Sequence, residues 1–261
     1  MTRDQLLSRL RDIPAAGRII TALDVPDLEA AREMAARLGP AARCVKVGLE
    51  LFSAAGPEAV HLMRSQDREV FLDLKFHDIP NTVAAAAARA SALGASFCTV
   101  HAQAGRRALT AAAEALAAAP VAPTAPDGRR PALLAVTVLT SLTAEELQET
   151  GPSPDSLTAR VARLARLAWD CGCDGLVCSP TDLPAVRAEL GGDPLVVTPG
   201  VRPAGSAAAD QRRVATPADA VAGGADFLVI GRPITRSEDP CRALAAVAAE
   251  IQSALSDSPE E

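Results

Sequence analysis

The stretch EVFLDLKFHDIPNTV, residues 69–83, connects a predicted strand to a predicted helix. Its first six residues, 69–74, are a short apolar run of the kind found in strands buried on both faces of a parallel sheet. The segment 82–93 is Ala-rich and amphipathic, which predicts a helix. An apolar run followed by an amphipathic segment recurs along the chain, and this indicates a repeated strand–helix unit.

The recurring pattern predicts eight strands, at residues 18–23, 44–49, 69–74, 96–100, 132–139, 175–179, 194–199 and 226–230. It predicts eight helices in alternation with them, at residues 27–38, 53–66, 82–93, 105–119, 155–170, 181–190, 216–223 and 239–255. Such alternation implies an α/β protein with a parallel sheet, and eight units favour a (βα)8 barrel, the TIM-barrel fold. An open doubly wound sheet is the alternative, but its first turn would be rich in glycine, and residues 24–27 contain none.

Length and composition fit a single domain over residues 1–261, since α/β barrels use about 250 residues. The net charge of −6 argues against a nucleic-acid polymer as partner. No apolar run approaches about 18 residues, which argues against a membrane span. Residues 1–14 alternate charge with leucine, which predicts a short N-terminal surface helix rather than a signal peptide, so we expect a cytoplasmic protein. The six cysteines are expected to be reduced structural thiols, with no metal bound.

Of the 26 basic residues, only Lys46 and Lys75 are lysines; Lys46 lies on the predicted second strand and Lys75 directly follows the third. In a TIM barrel the carboxyl ends of the strands carry the functional residues. Asp73 and Lys75 are two positions apart on one strand, so their side chains share a face; Asp24 and Asp78 also follow strands. Neighbouring carboxylates keep a lysine charged, which favours a proton donor over an imine-forming amine. The alternative is a structural ion-pair network that closes the barrel mouth.

The last two strand ends predict an anion site. Gly231 and Arg232 follow the eighth strand, where loops of this fold commonly bind phosphate. A glycine lets backbone N–H groups approach a phosphate, and an arginine offers a fork of donors. Arg202 follows the seventh strand and opens a long loop, 202–213, that is expected to act as a lid. Among the neighbouring arginines, we expect Arg213 and Arg236 to be solvated.

Three further expectations concern residues outside this chemistry. His77 and His101 follow the third and fourth strands and are expected to support neighbouring residues rather than to react. Trp169 lies in an amphipathic segment and is expected to pack in the core. The Pro-rich segment 121–131 precedes the fifth strand and is expected to be a solvated insertion.

Eight motifs in one order resemble the orotidine 5'-phosphate decarboxylase family, in its shorter bacterial form. They are TALDVP (21–26), VKVGLELF (45–52), FLDLKFHDIPNTV (71–83), TVHA (99–102), AVTVLTS (135–141), VTPGVRP (197–203), DQRR (210–213) and VIGRPIT (229–235). The resemblance covers nearly the whole chain. It implies a TIM barrel that converts orotidine 5'-phosphate to UMP and CO2 in pyrimidine biosynthesis, without a cofactor or metal, as a homodimer.

The same resemblance implies a role for each matching residue. Lys75 would protonate C6 of the pyrimidine, and Asp73 would face the substrate carboxylate. Asp24 and Lys46 would hold the ribose hydroxyls, and Lys46 would also belong to the catalytic array of alternating charges. Asp78 would reach into the neighbouring subunit's site. The remaining implied contacts are Thr82 to the ribose, Thr140 and Ser141 to the pyrimidine, and Arg202, Gln211, Gly231 and Arg232 to the phosphate. Some family members place a tyrosine on the phosphate, whereas this chain has no tyrosine.

Three other functions remain open at this point. A metal-dependent sugar-phosphate enzyme of the same superfamily would share the D-x-K-x-x-D pattern but would use magnesium. An imine-forming aldolase would use Lys75 as a nucleophile, which the flanking acids disfavour. A phosphate-binding barrel without catalysis would keep Gly231 and Arg232 but would have no need for Asp73 beside Lys75.

Overall fold

The computed structural model describes residues 1–149, 151, 155–203 and 215–256. Within these ranges eight parallel strands close into a barrel in sequence order, with the last strand paired to the first. The strands are β1 (Ile19–Ala22), β2 (Cys44–Gly48), β3 (Glu69–Phe76), β4 (Phe97–His101), β5 (Ala132–Val136), β6 (Gly175–Val177), β7 (Leu195–Pro199) and β8 (Phe227–Ile230). The predicted TIM-barrel fold is confirmed.

Helices of the described residues surround the barrel. They are α1 (Arg3–Arg11), α2 (Leu28–Leu38), α3 (Leu49–Ala55), α4 (Glu58–Arg64), α5 (Pro80–Ala92), α6 (Arg106–Ala118), α7 (Ala144–Glu149), α8 (Leu157–Asp170), α9 (Leu183–Leu190), α10 (Pro217–Ala222), α11 (Arg232–Thr235) and α12 (Pro240–Ser256). In the parts of the chain that the structure describes, no helix combines the length and apolarity needed to cross a membrane.

The single helix predicted at 53–66 is wrong. Two short helices, α3 and α4, occupy this region, and Gly56 and Pro57 separate them. Gly56 has a φ of +57° and donates its N–H to Phe52 O at 2.7 Å, which ends α3. Pro57 cannot donate to a preceding turn, so a new helix begins after it. After the break, α4 packs against β3.

Two apolar clusters stabilise the barrel. The larger lies between the strands and the surrounding helices, and the smaller fills the barrel interior. In the interior, the Phe97 ring packs edge-on against Phe71 and Phe227, with centroids 6.0 and 5.2 Å apart. The leucines of α1 (Leu6, Leu7 and Leu10) belong to this inner cluster. The predicted surface helix therefore covers the amino end of the barrel and buries one complete face.

The segment 121–131 is only in part the solvated insertion that its composition predicts: residues 121, 123, 124, 127 and 128 are exposed, but both arginines of the segment bind carboxylates. Arg129 is buried and forms an ion pair with Glu69 at the start of β3. Arg130 binds both carboxylate oxygens of Asp174, at 2.7 and 2.9 Å, just before β6. The segment thus supplies two cations to the amino end of the barrel.

The predictions for the cysteines and the tryptophan hold only in part. Five of the six cysteines are buried free thiols, but Cys241 is exposed on α12. Trp169 is half-buried and packs against both apolar clusters, and the Arg3 guanidinium lies 3.3 Å above its ring. That contact helps to hold α1 against α8.

Candidate active site

A cavity of about 830 Å³ opens at the carboxyl ends of the strands. The structure places eight of the predicted site residues along its wall: Asp24, Lys46, Asp73, Lys75, Thr140, Arg202, Gly231 and Arg232. These residues come from loops and ends of six different strands, and the closed barrel brings them together.

Four charged side chains form a line of alternating sign along one side of the cavity. Lys46 Nζ lies 2.8 Å from Asp24 Oδ1 and 4.0 Å from Asp73 Oδ2. Lys75 Nζ lies 2.8 Å from the same Asp73 oxygen. The side chains of Asp73 and Lys46 are only 11% and 12% exposed, so their mutual attraction is screened much less than at an open surface. We call this line the charge array.

Lys75 projects from an irregular part of β3. The strand continues to Phe76, two residues beyond the predicted end, and its register with β4 shifts between Leu72 and Phe76. Lys75 has a φ of +51°, a conformation that non-glycine residues rarely adopt. Such residues are found preferentially at functional sites, where the surrounding structure compensates the strain.

Thr99 of β4 provides that compensation. Its Oγ1 accepts the Lys75 backbone N–H at 2.9 Å and donates to Asp73 Oδ1 at 3.0 Å. Thr99 is fully buried, so both bonds are protected from water. One hydroxyl therefore connects the two residues at the centre of the charge array.

Much of the remaining cavity wall is apolar. Its lining includes Phe71, Val136, Val138, Val177, Cys178, Pro199 and Val229. A planar ring could lie against this wall while its substituents face the charge array. An apolar boundary also lowers the local dielectric constant and strengthens the electrostatic effect of the lysines.

The predicted anion site lines the same cavity, at the loops that follow β7 and β8. Gly231 directly precedes α11, whose first residue is Arg232. Arg202 N–H donates to Ala215 O at 2.9 Å, and Ala215 N–H donates to Gly200 O at 3.3 Å, so Ala215 lies beside the end of β7. Arg236 is exposed, as predicted, and also lines the cavity. Gln211, Arg212, Arg213 and most of the predicted lid lie outside the described residues.

Three predicted site residues stand away from the cavity of this chain. Asp78 is exposed, and its Oδ1 accepts the Ile79 N–H at 2.6 Å. Thr82 is exposed in the first turn of α5, and Ser141 is exposed one position beyond Thr140. None of the three contributes to the cavity wall formed by the described residues.

His77 and His101 stack face to face beside this site, with ring centroids 5.2 Å apart and planes inclined by 20°. Burial, together with the nearby His77 and Lys75, lowers the pKa of His101 from 6.5 to about 4. His101 is therefore neutral at neutral pH, and its Nδ1 accepts the Gln103 N–H at 3.3 Å. The ring closes the turn after β4.

Two neighbours of the charge array were missed in the sequence. Thr99 lies two positions before His101, so the alternation of a strand already places it on the inner face. Gly48 lies two positions after Lys46 and ends β2 on the same face. No group of three or more His, Cys, Asp or Glu side chains arranged to hold a metal ion occurs among the described residues.

Comparison with known proteins gives one consistent result. The model of the family described as "Orotidine 5'-phosphate decarboxylase / HUMPS family" matches residues 17–247. The chain is 52% identical over 242 residues to orotidine 5'-phosphate decarboxylase of Halorhodospira halophila, which covers 93% of this chain and 99% of that relative. Its identity to the protein of the same name from Moorella thermoacetica is 50% over 238 residues, covering 91% and 93%. The crystal structure of orotidine 5'-phosphate decarboxylase from Lactobacillus acidophilus aligns with a TM-score of 0.79 at 38% identity, covering 92% of this chain and 99% of that one.

Proposed function

The chain belongs to the orotidine 5'-phosphate decarboxylase / HUMPS family, and we propose that it uses Lys75 as the proton donor in its reaction. The protein is a carboxy-lyase that converts orotidine 5'-phosphate to UMP and CO2 in pyrimidine biosynthesis. The observation that carries the proposal is the charge array, in which Lys75 Nζ is 2.8 Å from Asp73 Oδ2 at the cavity wall.

The reaction leaves a carbanion that has little delocalisation. When the bond between C6 and the carboxylate breaks, the electron pair remains on C6 in the plane of the ring. A nearby ammonium stabilises this charge as it develops, because it is held in place before the reaction begins. The Lys75 ammonium then donates a proton to C6, giving UMP and a neutral amine that regains its proton from water.

Asp73 has two functions in this proposal. It aims the Lys75 ammonium through the 2.8 Å contact between Oδ2 and Nζ. It also faces the substrate carboxylate, and repulsion between the two anions is relieved as CO2 departs. Thr99 keeps Asp73 from turning away, since it occupies the other carboxylate oxygen at 3.0 Å.

The remaining predicted residues bind the parts of the nucleotide that do not react. Asp24 and Lys46 would hold the ribose hydroxyls, with Thr140 and Ser141 at the pyrimidine. Arg202, Gln211, Gly231 and Arg232 would bind the phosphate. Binding energy from a phosphate far from C6 can orient the base against the charge array, so it contributes to turnover as well as affinity.

We further propose a homodimer in which Asp78 and Thr82 complete the partner's site. Both residues are exposed and lie outside the cavity of their own chain, in the loop and helix that follow β3. Ile79, between them, is 67% exposed, the highest value among the large apolar side chains that the structure describes, and a second copy seated over this loop would bury it. Mixing Lys75→Ala with Asp78→Ala tests this arrangement: regained activity supports a shared site, and a mixture as inactive as its components contradicts it.

The decarboxylase activity itself is tested by following the loss of orotidine 5'-phosphate absorbance with the purified protein in EDTA. We expect turnover that the chelator leaves unchanged. A protein without turnover in EDTA that acts on a sugar phosphate once magnesium is restored would belong to the metal-dependent branch of the superfamily, and the proposal would be wrong.

A further inference from the structure

Gly48 occupies the position on β2 that faces the centre of the charge array. It is the last residue of the strand and pairs in register with Asp73 of β3. It lies two residues after Lys46, so the two positions share the inner face of the barrel. A side chain at position 48 would therefore point into the space between the two strands' charged residues.

That space is already filled by the Lys46 ammonium. A Cβ added to Gly48 would lie 2.6 Å from Lys46 Nζ and 3.5 Å from Asp24 Oδ1. To regain an ordinary van der Waals distance, Nζ would have to move by about 0.8 Å. This shift would disturb its 2.8 Å contact with Asp24 and its 4.0 Å approach to Asp73.

The backbone gives no separate reason for a glycine here. Gly48 has φ −100° and ψ −170°, which any residue can adopt. Gly175 of β6 makes a useful contrast, because a Cβ there would lie 2.4 Å from the backbone oxygen of Leu195. Substitution at Gly175 would push two strands apart, whereas substitution at Gly48 would displace only the end of a flexible side chain.

We propose that Gly48 is a positioning residue, whose missing side chain leaves the space in which the Lys46 ammonium lies between Asp24 and Asp73. This inference rests on the proposed function, because it assigns Gly48 a part in that same site. It predicts a separation of effects: the substitution Gly48→Ala damages the reaction and leaves the fold intact.

The first test compares Gly48→Ala with Gly192→Ala. Gly192 is an exposed glycine where an added Cβ would meet nothing within 4 Å, so it is a control for the backbone effect of the substitution. We expect kcat/KM of Gly48→Ala on orotidine 5'-phosphate to fall by about 10²-fold, the usual scale for a misplacement of about 1 Å. Its affinity for UMP, measured by calorimetry, should also fall. Both variants should keep the wild-type melting temperature.

The second test asks whether the effect passes through Lys46. In a Lys46→Ala background, adding Gly48→Ala should change kcat/KM and UMP affinity by no more than about twofold, because the displaced ammonium is already gone. An undiminished loss in that background would overturn the inference, as would wild-type kinetics or a clear fall in melting temperature for Gly48→Ala. Turnover by the wild-type protein distinguishes the two proposals. If the wild type does not convert orotidine 5'-phosphate, the proposed function fails. If it does, a negative result for Gly48→Ala bears only on the role of Gly48.

Discussion

The two ends of the barrel both hold buried ion pairs, but they differ in the cation they use. At the amino end, Arg129, Arg130 and Arg187 pair with Glu69, Asp174 and Asp226. At the carboxyl end, the cations of the charge array are Lys46 and Lys75, the two lysines of the whole chain. An arginine offers a fixed fork of donors for a carboxylate, whereas a lysine can also give up a proton.

The surroundings of the two sets differ as well. Asp174 binds two nitrogens of Arg130 and also accepts the Leu133 N–H at 2.8 Å. Burial alone would lower the pKa of Arg130, but the hydrogen bonds and charge of Asp174 outweigh it and raise that pKa. The leucines of α1 cover this end. These pairs are enclosed and fully engaged, as expected for groups that stabilise the fold.

At the carboxyl end, the charges face open space. The Lys75 ammonium has three donors, and within the described residues it has one hydrogen-bond acceptor, Asp73 Oδ2. The remaining donors face a cavity of about 830 Å³. Buried ion pairs alone therefore do not indicate catalysis; the indication comes from lysines with unused donors at the wall of a cavity.

The largest effect should come from removing the proton donor. We expect Lys75→Ala to lower kcat on orotidine 5'-phosphate by about 10²–10⁴-fold, the usual range for a positioned acid. The free energy of unfolding should change by no more than about 1 kcal/mol, because Lys75 is partly exposed. Steady-state kinetics and urea unfolding measure the two quantities. Near-normal turnover would contradict a catalytic role for the lysine at the carboxyl end of the barrel.

The mirror-image experiment is Asp174→Ala at the amino end. It leaves the Arg130 guanidinium and the Leu133 N–H without their acceptor, and breaking a buried pair in this way costs about 3–5 kcal/mol of unfolding free energy. At a temperature where the variant is folded, kcat should equal that of the wild type. The exposed Asp193→Ala is the control, with an expected change below about 0.5 kcal/mol. A loss of kcat in folded Asp174→Ala would show that the two ends are not separate in function.

Thr99→Val should have an intermediate effect, because it removes one hydroxyl and keeps the shape. The variant loses the donor to Asp73 and the acceptor for the Lys75 N–H. We expect kcat to fall about tenfold, equivalent to about 1.4 kcal/mol, with a smaller change in KM. Thr99→Ser, which restores the hydroxyl, should recover most of the activity. Equal kinetics for the two variants would exclude a role for the hydroxyl.

The smallest effect concerns pH. The folded-state pKa of His101, about 4, lies below its ordinary value of 6.5, so between these values the unfolded chain binds more protons. Stability is thus retained above pH 6.5 and is lost as pH falls toward 4. His101→Asn keeps an acceptor for the Gln103 N–H and should lose less stability than the wild type between about pH 7 and about pH 4.5. Identical pH profiles from urea unfolding would contradict this.

The fold could be predicted from sequence because barrel strands are buried on both faces and form recognisable apolar runs. The ends of individual helices and strands were harder to predict. The predicted helix at 53–66 fails where Gly56 and Pro57 interrupt it. The predicted strand 132–139 ends at Val136, although Thr137 still donates its N–H to Val177 O of the neighbouring strand β6. Local composition does not show where tertiary packing ends a helix or a strand.

The site could be predicted at the level of strand ends, but not in its detailed geometry. The backbone of Lys75 depends on Thr99, 24 residues away, and nothing near Lys75 in sequence indicates the irregular strand. The same limit explains why the arginines of 121–131 were expected to be solvated. The carboxylates that pair with Arg129 and Arg130 lie 60 and 44 residues away in the sequence. Charge pairing of this kind becomes visible only when the barrel closes.

The role of Lys75 as the proton donor is tested most directly by measuring kcat of Lys75→Arg on orotidine 5'-phosphate. Arginine keeps the positive charge beside Asp73 but cannot donate a proton near neutral pH. If Lys75 acts as the proton donor, kcat should fall by at least about 10²-fold while the protein remains folded. A kcat within about tenfold of the wild type would show that the charge alone is sufficient, and the assignment of Lys75 as the acid would be wrong.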